Sequence, residues 1–313
     1  HYSLLDGACQ VDHLVKAAAE FQLPALALTD AGNLFGAIEF YKKAKEAGIK
    51  PIVGAEMFVT QGPRTQKDRT NPTNDLVLLC RNIDGYNNLI KLTSMGYLDG
   101  FYHRPRIDDE LLRQHAGGLV ALSGGIYGKV NQLLLKGKFD EAVLQVKDYQ
   151  ELFAGHFYLE VMDHGLDDER LLRNQLVKLS QATGALLVAA NDSHYVKQSD
   201  AIARDVLFCI ATGKLLSDDN RKKSTSDQYY LKSPAEMKEL FADVPGAYEN
   251  TMRVAEICNL QMDFSKFHLP KFTVPEGFTE ESYLSNLCTA AVKKRYADAD
   301  EDVLREVNER LDF

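Results

Sequence analysis

The chain contains no run of about 18 apolar residues, and its start, HYSLLDGACQ, has no basic stretch followed by an apolar one. Neither a membrane-spanning helix nor a secretory signal is therefore expected, and the expected location is cytoplasmic. Paired cysteines are also missing. Cys9, Cys80, Cys209, Cys258 and Cys288 are odd in number, far apart and never in a Cys-x-x-Cys pair. That spacing argues against a disulfide framework or a zinc ribbon and leaves buried thiols. Positive charge is in deficit, with 36 Lys and Arg against 45 Asp and Glu, a formal charge of −9. The balance argues against a surface that itself grips phosphate backbones, so nucleic acid should be met only locally or through another part of a larger protein. There is no internal repeat and no low-complexity tract.

What is present is enough for a core: 313 residues, 45% of them hydrophobic, suit one large domain or a domain with an appendage. Strand-length apolar segments recur at 24–28 (PALAL), 51–59 (PIVGAEMFV), 75–80 (DLVLLC), 118–122 (GLVAL), 157–162 (FYLEVM) and 185–190 (ALLVAA). Short continuous runs of this kind suit buried parallel strands. Between them, segments such as VDHLVKAAAEF, LFGAIEFYKKAKEAG and DERLLRNQLVKLSQATG space apolar residues three and four apart, and two end on Gly48 and Gly184. The alternation predicts βα units, and so a parallel sheet or barrel. After Tyr195 the strands cease and a helical continuation follows. Residues 263–278, with two prolines, precede two more helical segments, the last of which stops without a partner. The chain is expected to end inside a new unit.

Three strands run into residues that bind metals: Asp30, then Asp163-His164-Gly165, then Asn191-Asp192-Ser193-His194. Glu56 sits inside the apolar run PIVGAEMFV, where a charge is costly unless it faces a polar cavity or a cation. In parallel βα architectures the C-terminal strand ends converge on one face, so Asp30, Glu56, His164, Asp192 and His194 are candidates to meet. Such a donor set suits Zn²⁺, Mn²⁺ or Fe²⁺, and two or three ions together would activate water for phosphoester hydrolysis. Plainer roles stand beside these. Asp30 with Gly32-Asn33 is also a turn or helix N-cap pattern, Glu56 has Lys50 as a conceivable partner, and His164 suits a turn. Asp163 is read as the cap of the next helix, and His13, His115, His156 and His268 as ordinary residues.

At these residues the sequence resembles the polymerase and histidinol phosphatase (PHP) domain that opens the alpha subunit of bacterial replicative DNA polymerase III. YSLLDGA, GNLFGAIEFYKKAKEAGIKPIVGAE, GYNNLIKL, ALSGG, NDSHYV, DVLFCIATGK, DQYYLKSPAEM and HLPKF follow that family in order and cover nearly the whole chain. The resemblance implies an α/β fold, a distorted (βα)₇ barrel with a metal site at the C-terminal strand ends, followed by helical segments leading into a polymerase palm. It implies residues 1–265 as the PHP domain with its helical continuation, 266–278 as a linker and 279–313 as the start of the palm region.

The departures are equally specific. Metal-keeping members have a His-x-His pair shortly before Tyr-Ser-Leu-Leu-Asp-Gly, a pair that His1 does not supply. They have a histidine where this chain has Ala31, and a cysteine where it has Gly125. The remnant set is Asp30, Glu56, His164, Asp192 and His194, implying weak or incomplete binding of Zn, Mn or Fe. For the parent protein the resemblance implies a DNA-directed DNA polymerase using Mg, whose catalytic carboxylates lie beyond this chain, with no catalytic residue named here. Its implied partners are the rest of the alpha subunit, a proofreading exonuclease subunit, a sliding clamp and DNA. The fragment itself is expected to be structural, for docking. The competing expectations are an active metal-dependent phosphoesterase, such as a stand-alone histidinol-phosphate phosphatase, or a 3′–5′ proofreading exonuclease.

Overall fold

A computed structural model describes residues 2–221, 223–265 and 272–312. Its strands are β1 (Ala25–Ala31), β2 (Lys50–Thr60), β3 (Thr73–Cys80), β4 (Arg106–Ile107), β5 (Leu119–Leu122), β6 (Phe157–Val161) and β7 (Leu186–Ala189). They form one sheet in the order β1-β2-β3-β5-β6-β7, with β4 pairing β2. The first half of the chain adds helices α1 (Val11–Glu20), α2 (Ala37–Glu46), α3 (Ile83–Leu98), α4 (Asp109–Gln114), α5 (Lys129–Leu135) and α6 (Phe139–Leu152). The second adds α7 (Asp167–Thr183), α8 (Ala201–Thr212), α9 (Pro234–Leu240), α10 (Glu249–Ile257), α11 (Glu280–Arg295) and α12 (Glu301–Asp312). No helix among the described residues is long and apolar enough to cross a membrane.

The expected strands and helices form, with one correction to the sheet. β3 runs antiparallel to both β2 and β5, whereas β1–β2, β2–β4, β5–β6 and β6–β7 are parallel. The cause is the connection: residues 61–72 form a loop without a crossover helix, and only a crossover returns a chain to parallel pairing. The short β4, α4 and α5 carry too few residues to show a period, and the sequence did not announce them. Gly184 ends α7 with φ 72°, a left-handed geometry that glycine adopts without a Cβ penalty. Of the cysteines, Cys9, Cys80, Cys209 and Cys258 are buried and Cys288 half-buried, all as free thiols.

Side-chain alternation sorts the strands onto two faces. Val53, Ala55 and Met57 of β2, Leu76 and Leu78 of β3, and Leu119 and Ala121 of β5 join the larger core. The intervening Ile52, Val77, Leu79, Val120, Leu122, Tyr158 and Val188 form a second cluster, closed by Val254, Ala255 and Cys258 in and just after α10. Glu56, Asp75 and Glu160 have the parity of this second face. The sheet is curled around it: flat, β2 and β7 would lie about 19 Å apart, yet Asp192, just past β7, acts electrostatically on Glu56 of β2.

The chain divides into two compact units, 1–262 and 263–313. In the second, α11 buries none of its residues, and Phe272 and Tyr283 stack with ring centroids 5.9 Å apart. The expected linker, 266–278, falls partly outside the described residues, as do His1 and His268.

Candidate functional site

The parallel register of β1 on β2 pairs Asp30 with Ala55 and Ala31 with Glu56. Opposed residues of neighbouring strands point to the same face, so Ala31 shares the face of Glu56 while Asp30 points to the other side. Asp30 is buried there and accepts a 2.7 Å hydrogen bond from Ser3 Oγ. The turn belongs to its neighbour instead: Asn33 Nδ2 donates to the carbonyls of Tyr2 and Ala31, and its Oδ1 accepts from the Phe35 amide. Gly36, not Asp30, is the N-cap of α2.

Glu56 sits among carboxylates. Asp75 is diagonal to it across the β2–β3 pair, since Glu56 opposes Val77, and the two carboxyls hydrogen-bond each other. Burial and then the charges of Asp75, Asp192, Glu160 and Asp6 hold Glu56 well above the usual carboxylate range. Burial raises Asp75 to about 6, with Asp192 adding to it and Arg104 opposing. Glu160 of β6, buried at 4% exposure, is raised to about 8 by burial and by Asp192. Lys50 is no partner for Glu56: its Nζ donates to the Ala255 carbonyl at 2.5 Å and to Asn259 Oδ1 at 2.8 Å, at the other end of β2.

His164 is locked into the fold. Its Nδ1 meets Glu169 Oε1 at 2.6 Å, its Nε2 meets the Asn191 carbonyl at 2.7 Å, and its ring stacks on Tyr229 at 4.0 Å between centroids. Both nitrogens face acceptors within the protein, so neither is turned toward an open position. Asp163 does not cap α7. It accepts from the Gly165 amide and pairs with Arg173 at 2.8 Å, while Leu166 is the N-cap.

Asp192 and His194 do meet. Asp192 has φ 40°, a left-handed conformation that aspartate tolerates better than most residues. Its Oδ2 lies 3.1 Å from His194 Nε2, and His194 Nδ1 lies 3.5 Å from Asp6 Oδ1. Arg204 of α8 closes the chain of charges with a 2.9 Å bond to Asp6 Oδ1, its guanidinium 4.4 Å above the Tyr229 ring. Desolvation pushes the Asp192 carboxyl up, but the His194 hydrogen bond and the charges of His194, His164 and Arg204 outweigh it and leave Asp192 below its ordinary value.

The structure therefore brings Glu56, Asp192 and His194 to one region, sets His164 at its border against the same Tyr229 ring with both ring nitrogens engaged, and turns Asp30 to the other face of the sheet. Among the described residues, no three His, Cys, Asp or Glu side chains are placed to hold a metal ion. Asp192, His194 and Asp6 are engaged by each other and by Arg204, and Glu56 by Asp75, and so they do not fit a multinuclear metal centre as they stand. Sequence reasoning missed Asp6, Asp75, Glu160, Arg204 and Tyr229. Only Glu160 carried a usable signal, a charge within FYLEV like that of Glu56 within its own run.

Residues 1–164 match the family model of the PHP domain. Two curated relatives named DNA polymerase III subunit alpha are similar along the chain. That of Borreliella burgdorferi is 44% identical over 94% of this chain and 26% of its own length, and that of Treponema pallidum 40% identical over 100% and 27%. The chain thus spans about a quarter of the length of these relatives. A solved structure described as a metal-dependent phosphoesterase from Bifidobacterium adolescentis is a distant likeness, 15% identical with a TM-score of 0.38, covering 60% of this chain and 84% of that one.

Proposed function

The chain belongs to the PHP domain family, and from that premise we propose that it is the PHP domain of a bacterial replicative DNA polymerase III alpha subunit, acting as a rigid docking base with a depleted metal site. The identity of the relatives along the whole chain supports the first half of this reading. The observation that carries the second half is a donor set engaged within the protein, where His194 lies between Asp192 and Asp6, Arg204 bonds Asp6, and the carboxyls of Glu56 and Asp75 hydrogen-bond each other. Donors engaged in this way must give up those partners before they can hold several ions.

In this reading the whole protein is a DNA-directed DNA polymerase, its Mg-binding carboxylates in a palm outside this chain. Residues 1–265 form the PHP domain with its helical continuation, 266–278 a linker and 279–313 the start of the palm region. DNA, a proofreading exonuclease subunit and a sliding clamp are met through the assembled polymerase. The remnant donors are Glu56, Asp192 and His194, with Asp30 and His164 retained for the fold, and Ala31 and Gly125 mark lost ligands. The crowding of Glu56, Asp75, Glu160 and Asp192 favours one second reading, a metal-dependent phosphoesterase or 3′–5′ exonuclease that needs a cation to relieve that crowding.

Elemental analysis after dialysis against Zn²⁺ or Mn²⁺, together with a 3′–5′ exonuclease assay, separates the two. The docking reading expects substoichiometric metal and no nucleotide release, with metal content raised by Ala31→His, which adds an imidazole on the face of Glu56. Several tightly bound ions, or manganese-dependent nucleotide release abolished by Asp192→Ala, would overturn it.

A further inference from the structure

A cavity of about 10 Å³ lies between the end of β6 and helices α5 and α7, lined by Gly125, Asn131, Glu160, Met162, Glu169 and Leu176 among others. Room of this size holds about one water molecule. Two lining residues bring buried oxygens with no hydrogen-bond partner: Asn131 Oδ1 and Glu160 Oε2, on side chains that are 2% and 4% exposed. The Asn131 amide cannot turn round to satisfy its oxygen, because its Nδ2 donates to the carbonyls of both Gly124 and Gly125, at 3.0 and 2.9 Å. A flip would set oxygen against oxygen at both.

We propose that this cavity is an internal site for a single ordered water that bridges Glu160 Oε2 and Asn131 Oδ1. The stoichiometry favours it: water has two O–H donors, and two acceptors lack one. If the Glu160 carboxyl is protonated, as its value of about 8 implies at neutral pH, the carboxyl O–H donates to the water, which still donates to Asn131. A bare cation is worse served. Glu169 already spends Oε1 on the His164 ring and Oε2 on the His164 and Leu166 amides. Two free oxygens fall well short of the six or more that hard cations take.

Residue 125 makes the room. A Cβ there would lie 3.1 Å from Met162 Sδ, so a side chain would compete for the space that Gly125 leaves open. Position 125 is where the family resemblance leads one to expect a cysteine, and the water stands in for that volume.

A crystal structure of the wild-type chain at a resolution that orders water, grown with Mn²⁺ and measured for anomalous scattering, is the test. One peak within hydrogen-bond distance of both oxygens, without anomalous signal, is expected. An empty cavity overturns the proposal, as does an anomalous peak at that position. Magnetic relaxation dispersion gives a second measurement: Gly125→Cys should lose one long-lived water relative to wild type, and an unchanged count would equally overturn it. Neither readout depends on whether the carboxylate site above binds metal or cleaves nucleic acid.

Discussion

The inner face of the sheet has two ends that solve opposite problems with the same strands. At one, Ile52, Leu79, Val120 and Tyr158 pack under Val254, Ala255 and Cys258, and apolar burial dominates the closure. At the other, Glu56, Asp75 and Glu160 continue the same alternating rows but carry carboxyls that burial and neighbouring charge push toward the protonated form, beside the chain of Asp192, His194, Asp6 and Arg204. Parity delivers a residue to this face, and position along the strand decides whether it enters a core or a site. The apolar end is held by many small contacts, and burial pushes its ionisable groups, Cys258 and Tyr158, up and away from neutral pH. The polar end is held by a few ionisable groups and must respond to pH.

The largest effect belongs at the apolar end. Leu79 is 3% exposed, and truncation to alanine removes buried methyl groups and leaves a void, so Leu79→Ala should cost about 2–5 kcal/mol. A lower denaturation midpoint with an unchanged slope is the expected record. A loss below about 1 kcal/mol would mean that this end is not close-packed and would break the contrast.

Glu160→Gln tests the polar end. The Glu160 carboxyl stands at about 8 in the folded chain against an ordinary 4.5. Between those values the native state keeps a proton that the unfolded chain has released. Wild-type stability should therefore fall as pH rises through that window and level off above it. A glutamine cannot ionise, so the variant should gain on wild type by about 2–4 kcal/mol between pH 5 and pH 9. A smaller slope of the same sign should persist near pH 6 from Asp75, which is raised for the same reason. Parallel stability curves for the two proteins would show that Glu160 is ionised throughout and that its burial is not felt.

The same contrast explains what could be read in advance. The six long strands and the main helices were legible because apolar period and glycine stops are local signals. The reversal of β3 was not, since direction depends on whether residues 61–72 fold into a crossover, and that segment has no period to read. Within the site, Glu56 was legible as a charge in an apolar run, and Asp192 with His194 as a pair leaving one strand end. The split of Asp30 from Ala31 requires the β1–β2 register. Arg204 required knowledge of where α8 lands, which nothing near residue 204 encodes.

Arg204→Ala should have an intermediate effect. The residue is 7% exposed, but its partner Asp6 is 46% exposed at the side chain, so solvent screens the pair and most of the loss comes from the guanidinium on Tyr229. About 1–2 kcal/mol is expected. The distinguishing readout is the Asp192 carboxyl, which Arg204 helps to depress. A depressed carboxyl contributes stability above its ordinary range that fades as pH falls through the folded value. In the variant, carbon-detected NMR should show Asp192 titrating at higher pH than in wild type, and the acid limb of the stability curve should flatten. An unmoved Asp192 would remove Arg204 from the balance of the site.

The smallest effect asks whether the two ends are independent. Lys50 begins β2 and ties it to the apolar plug through the Ala255 carbonyl and Asn259, six residues or about 20 Å along the strand from Glu56. Lys50→Met keeps most of the aliphatic stem and removes the donors, so about 1 kcal/mol should be lost. Combined with Arg204→Ala, the two losses should add to within about 0.5 kcal/mol, as expected for sites that share no partner at this separation. Additivity would mean that the strands transmit position between the ends and little energy. A coupling well above that limit would show instead that the α10 plug and the carboxylate cluster form one cooperative unit.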